Sequence, residues 1–131
     1  MSAIAAAATG AVAGAPRLIL RAEGLALFLA AVFVFWRLEG SWLVFVVLFL
    51  APDLSFLAYL HSPRLGAAAY NALHATLGPL ALFAIGYWSG ESFIESLAMI
   101  WLAHVGIDRA LGYGLKYATA FNETHLGRIG R

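Results

Sequence analysis

Four stretches of the chain, residues 18–36, 41–60, 65–88 and 92–113, are almost wholly apolar, yet each carries at least one ionisable side chain. A helix needs about 20 apolar residues to cross the hydrocarbon core of a bilayer, so each stretch is long enough to be a span. An ionisable group inside a span is expensive unless it is paired, wetted or bound to a metal, and so marks a functional site by default. Glu23, Asp53, His74, His104 and Asp108 are therefore the residues that most constrain the chain.

Composition agrees with this reading. Hydrophobic residues make up 63% of the 131 and charged residues 11%, with a mean hydropathy of +0.84; soluble domains carry about 45–50% and about 25%. The links at 37–40, 61–64 and 89–91 are short, as antiparallel neighbours require. The predicted fold is an all-α, integral membrane four-helix bundle of up-down-up-down topology over residues 17–113. An uncharged Ala/Gly-rich tail, 1–16, precedes it and lacks the basic start of a secretory signal. A basic tail or lid, 114–131, follows it.

Orientation comes from the placement of Lys and Arg, which are retained on the cytoplasmic side. Arg17, Arg21, Arg64, Arg109, Lys116, Arg128 and Arg131 fall at one end of the predicted bundle, and Arg37 alone falls at the other. Both termini are thus expected in the cytoplasm, in a multi-pass protein of the cell inner membrane. The ionisable residues fall in the cytoplasmic half of that bundle.

Cys is absent, which excludes disulfides and thiolate metal sites. A formal net charge of +1 gives no basic footprint for nucleic acid. The lipid bilayer is the expected partner, with a lipid substrate and homo-oligomer formation as further expectations.

His104 and Asp108 are four residues apart and share a helix face, as do Asn71 and His74 at a spacing of three. Pro52 removes a backbone hydrogen bond just before Asp53 and bends the second span there. Neutral imidazoles with carboxylates form a ligand set for a divalent metal, with zinc foremost and iron or manganese as alternatives. The metal ligands expected are Asp53, His74, His104 and Asp108. The same residues would also serve a proton or ion pathway, or act as hydrogen-bonding glue between helices. In the tail, His125 and Arg128 suit either a lid that binds an anionic group or an interfacial segment held by lipid headgroups.

Several strings occur in order: Ala51-Pro52-Asp53-Leu54-Ser55, Tyr70-Asn71-Ala72-Leu73-His74, the run from Trp101 to Arg109, Gly112-Tyr113-Gly114-Leu115-Lys116-Tyr117, and Thr124-His125-Leu126-Gly127. Together they resemble the bacterial membrane family called domain of unknown function 4260, over roughly 18–131. A more distant similarity is to membrane-bound metal-dependent hydrolases and the zinc-dependent phospholipase C type. Those proteins carry an Asp, then a His, then a His-x-x-x-Asp pair, an order that Asp53, His74, His104 and Asp108 follow. That similarity implies a metal-dependent hydrolase; read with the residues, it leads to an enzyme acting on a lipid or amphipathic ester, in which Asp53 or Glu23 takes a proton and Arg109, His125 or Arg128 stabilises an anionic group. A transporter or channel component, or a structural membrane protein, are the other classes the residues allow.

Overall fold

The computed structural model describes residues 13–115, 123–124 and 126–128 of the chain. Five α-helices and one 3-10 helix make up the fold among these residues: α1 (Gly14–Arg37), α2 (Trp42–Leu48), the 3-10 helix (Ala51–Leu60), α3 (Pro63–His74), α4 (Leu77–Ser89) and α5 (Ser92–Leu111). A minimal antiparallel pairing, β1 (Glu123–Thr124) with β2 (Gly127–Arg128), is the β structure described. The helix α1 begins inside the stretch expected to be a tail; residues 1–12 of that stretch lie outside the described residues.

Local chemistry sets the boundaries. Ser41 caps α2 by accepting from the Val44 N–H, and Ser62 caps α3 by accepting from Leu65, with Pro63 at the first helical position. Gly90 and Gly112 end α4 and α5 in the left-handed conformation, at φ 72° and 93°.

Two of the expected spans depart from a uniform α-helix, the second span beside Pro52, where a bend is expected from the sequence. The second runs as α-helix to Leu48 and continues as the 3-10 helix from Ala51, with Pro52 in its first turn. The third bends by 40° between α3 and α4, where Ala75 is extended. Pro79 accounts for the second break: it offers no N–H to the Ala75 carbonyl four residues earlier, and its ring collides with that carbonyl in a continuous helix. The sequence carries this signal in Gly78-Pro79.

Two helices, Gly14–Arg37 and Trp42–Leu60, are long and apolar enough to cross a membrane, and the bent pair α3–α4 passes the same test as one unit. The helix α5 has the length but carries Glu95, Asp108 and Arg109. Its position explains how it tolerates them. Ala98, Met99, Ile100, Leu102, Ala103 and Val105 are all buried, so α5 is the central helix and the others wrap it. Large apolar side chains on the wrapping elements face outward, Leu43, Val46 and Leu60 at 74%, 72% and 86% exposure among them. A soluble monomer rarely leaves so much contiguous apolar surface uncovered.

The core joins α1 to α5 through Ala31, Phe35, Ala98, Ile100 and Ala103. Nearer the site, Gly24 and Gly106 let the two backbones touch: a Cβ at Gly106 would lie 2.6 Å from the Phe28 nitrogen and 2.8 Å from the Gly24 carbonyl. Small residues at a crossing permit this approach. It fixes the height of α5, and hence of His104 and Asp108, against α1.

Candidate metal centre

Three elements bring four side chains to one point. Asp53 comes from the first turn of the 3-10 helix, His74 from the last residue of α3, and His104 and Asp108 from successive turns of α5. One ligand atom from each can be chosen so that all four lie within 4.8 Å of one another. The His74 Nε2 lies 3.1 Å from Asp53 Oδ1, 3.0 Å from His104 Nε2 and 3.5 Å from Asp108 Oδ2. The His104 Nε2 lies 3.2 Å from each of the same two carboxylate oxygens. Metal–ligand bonds of about 2.0–2.1 Å arranged tetrahedrally put neighbouring donors about 3.3–3.4 Å apart, so these spacings are those of atoms around a common ion.

The imidazoles are held from behind. His74 Nδ1–H donates to the Tyr70 carbonyl at 2.9 Å, and its ring stacks on Tyr70 with centroids 3.7 Å apart and 7° between planes. Because a carbonyl can only accept, that bond assigns the proton to Nδ1 and leaves Nε2 as a lone pair in the neutral ring. His104 packs edge-on against Phe49, and its Nδ1 is buried on the side away from the carboxylates. Thus a lone pair of His74 and two carboxylates converge, an arrangement that repels unless a cation or a proton lies among them.

The two His side chains are 3% and 2% exposed, whereas Asp108 is 16% and Asp53 31% exposed. The group therefore has a sealed imidazole side and an accessible carboxylate side. It could hold a metal ion and still offer one face to solvent or substrate.

Two further residues of α5 serve the site through the backbone. Trp101 Nε1–H donates to the Leu73 carbonyl at 2.6 Å, and Arg109 Nη2–H donates to the His74 carbonyl at 2.8 Å. The break after α3 strips these carbonyls of their helical partners, and buried carbonyls left unpaired are costly. The same helix that supplies His104 and Asp108 thus pins the chain end that presents His74. The sequence gives Arg109 a role toward an anionic group and marks Trp101 only by its place one turn before His104; neither backbone role can be read without the position of the bend.

The remaining expected residues stand elsewhere. Glu23 is exposed on α1 and lines a cleft of about 290 Å³ with Thr76, Arg109 and Leu115, outside the four-residue group. His125 and the side chain of Arg128 lie outside the described residues. Leu126 is fully buried, and its carbonyl accepts from Arg17 Nε–H near the start of α1. Arg21 Nε–H donates to the Ala110 carbonyl at 2.9 Å, tying α1 to the end of α5.

A family model described as a domain of unknown function (DUF4260) matches residues 17–129. The chain belongs to that family. All four members of the His/Asp group, together with Trp101 and Arg109, fall within the matched region of the family model. No curated protein and no solved structure matches the chain.

Proposed function

We propose that this family member is an integral membrane metalloprotein of four spans with cytoplasmic termini, in which Asp53, His74, His104 and Asp108 hold one divalent ion in the cytoplasmic half of the bundle. The observation that carries the reading is the convergence of the four donors at metal-ligand spacings, with the His74 tautomer fixed by the Tyr70 carbonyl. Two imidazoles and two carboxylates suit zinc, and equally iron or manganese where further positions stay open.

The activity we infer is hydrolysis of an amphipathic ester at the inner membrane. Asp53, His74, His104 and Asp108 would hold the ion, which when bound would supply an acidified water and polarise an acyl or phosphoryl oxygen. Asp53, the more exposed carboxylate, takes the proton of the attacking water and returns it to the leaving oxygen. Water adds across one ester bond, giving an acid and an alcohol. Arg109 faces the substrate's anionic group from the adjoining cleft.

A second reading rests on a specific observation. The third span is broken next to the cluster and the second changes to 3-10 winding there, and irregular backbone within a membrane occurs where it lines a cavity or an ion site. A proton-coupled or ion transporter, assembled as a homo-oligomer, would use the same group. Metal analysis of detergent-purified protein separates the two readings. Near-stoichiometric metal in the wild type, lost in His104→Ala, supports the metal centre. Metal-free protein that conducts a pH-dependent flux in liposomes overturns it in favour of transport.

A further inference from the structure

On the side of the metal group away from Arg109 lies a cavity of about 270 Å³, with Ala51, Pro52, Leu73, Leu97, Ile100 and Trp101 among its walls and Leu48 and Leu82 completing them. Every one of these residues is apolar. The single polar hydrogen among their side chains, the Trp101 indole N–H, is already donated to the Leu73 carbonyl, so the ring presents a hydrocarbon face. Gly78 makes room for that ring, since a Cβ there would lie 2.6 Å from Trp101 Cζ2.

The cavity adjoins the metal group in the chain at three points. Pro52 precedes Asp53, Leu73 precedes His74, and Trp101 lies one turn before His104. Along α5 the order is apolar wall at 97, 100 and 101, metal donors at 104 and 108, then Arg109 in the charged cleft. At 1.5 Å per residue the apolar walls are centred about 10 Å from the donors on one side, and Arg109 about 5 Å on the other. Apolar groove, His/Asp group and polar cleft thus follow one another along one helix.

We propose that the apolar cavity is the acyl-chain subsite of the metal centre, and that the substrate is an ester with one acyl chain seated there and its polar group toward Arg109. This rests on the metal-centre reading above. The volume lies just below the usual range of ligand pockets, about 300–1,000 Å³, which suits one chain and not two.

The probes are acetohydroxamate and octanohydroxamate, which present the same metal-binding head on chains of different length, titrated calorimetrically into metal-loaded wild-type protein in detergent. Full transfer of a chain from water gains about fourfold in affinity per methylene, and micelles compete for part of it, so octanohydroxamate is expected to bind at least about tenfold tighter. Leu97→Trp and, from the opposite wall, Ala51→Phe fill the cavity. Either is expected to erase the chain-length gain while metal content and acetohydroxamate affinity stay at the wild-type level. Equal affinity for the two probes in the wild type, or a gain that survives in every filled variant retaining metal, overturns the subsite. Metal content, measured first, distinguishes this from failure of the centre itself: a wild type that takes up no metal removes both readings together.

Discussion

The Nε2 atoms of His74 and His104 face each other at 3.0 Å, with an oxygen of Asp53 within 3.2 Å of both. With the His74 proton committed to Tyr70, this contact brings together groups that need a cation or a shared proton among them. The energetic consequence is measurable. A ligand that binds only the folded state stabilises it by about 2.7 kcal/mol at a hundredfold excess over its dissociation constant. Added zinc is expected to raise the melting temperature of chelator-treated wild type in micelles, and to leave a His74→Ala/His104→Ala double variant unmoved. An equal shift in both proteins would mean that the ion binds elsewhere.

Trp101 and Arg109 hold the carbonyls at the end of α3, so their loss should act on His74 without removing a ligand. Residues behind metal ligands typically contribute about 10–100-fold in metal affinity. Trp101→Phe and Arg109→Met are each expected to weaken metal binding within that range in competition with a chromogenic chelator, while helix content by circular dichroism stays unchanged. Wild-type affinity in both variants would show that the break is held without them.

The crossing of Gly24 and Gly106 makes a different demand. Overpacking a tight contact typically costs about 1–3 kcal/mol, and here the obstacle is backbone, which cannot swing aside. Gly106→Ala should lower thermal stability in micelles by an amount in that range, and Gly90→Ala, where a Cβ meets nothing within 4 Å, should show only the cost of its positive φ. A neutral Gly106→Ala would refute the close approach of α1 and α5.

Topology can be tested directly because the chain has no native Cys. Single cysteines at His61 and Glu91, both exposed and at opposite ends of the bent pair α3–α4, give two reporters. In intact cells stripped of outer membrane, a membrane-impermeant maleimide should label Glu91→Cys, and His61→Cys only after lysis. The reverse pattern would invert the proposed orientation.

Much of the candidate site was legible in the residues, for a physical reason. Asp53, His74, His104 and Asp108 are conspicuous because apolar segments tolerate such groups poorly, and the spacing of four between His104 and Asp108 puts both on one face of a helix. The supporting contacts were not legible. Whether the carbonyls of Leu73 and His74 need outside donors depends on where the third span bends, and that depends on Pro79 acting four residues upstream. Glu23 shows the opposite limit: its depth along α1 matches the other ionisable residues, but its rotation about the helix axis turns it to the cleft beside Arg109. Helix α5 fits the expected fourth stretch in position, while the burial of Ala98 to Val105 shows it to be the enclosed rod of the assembly.

The 3-10 winding of Ala51–Leu60 also changes how far the second segment reaches. As a uniform α-helix the nineteen residues of Trp42–Leu60 would extend about 28 Å. With ten of them at about 2.0 Å apiece, the reach becomes about 33 Å. A hydrocarbon slab is about 30 Å thick. The stretched coil therefore gives a short segment a reach that covers that thickness, and uniform α-helical winding of the same residues would shorten it by about 5 Å.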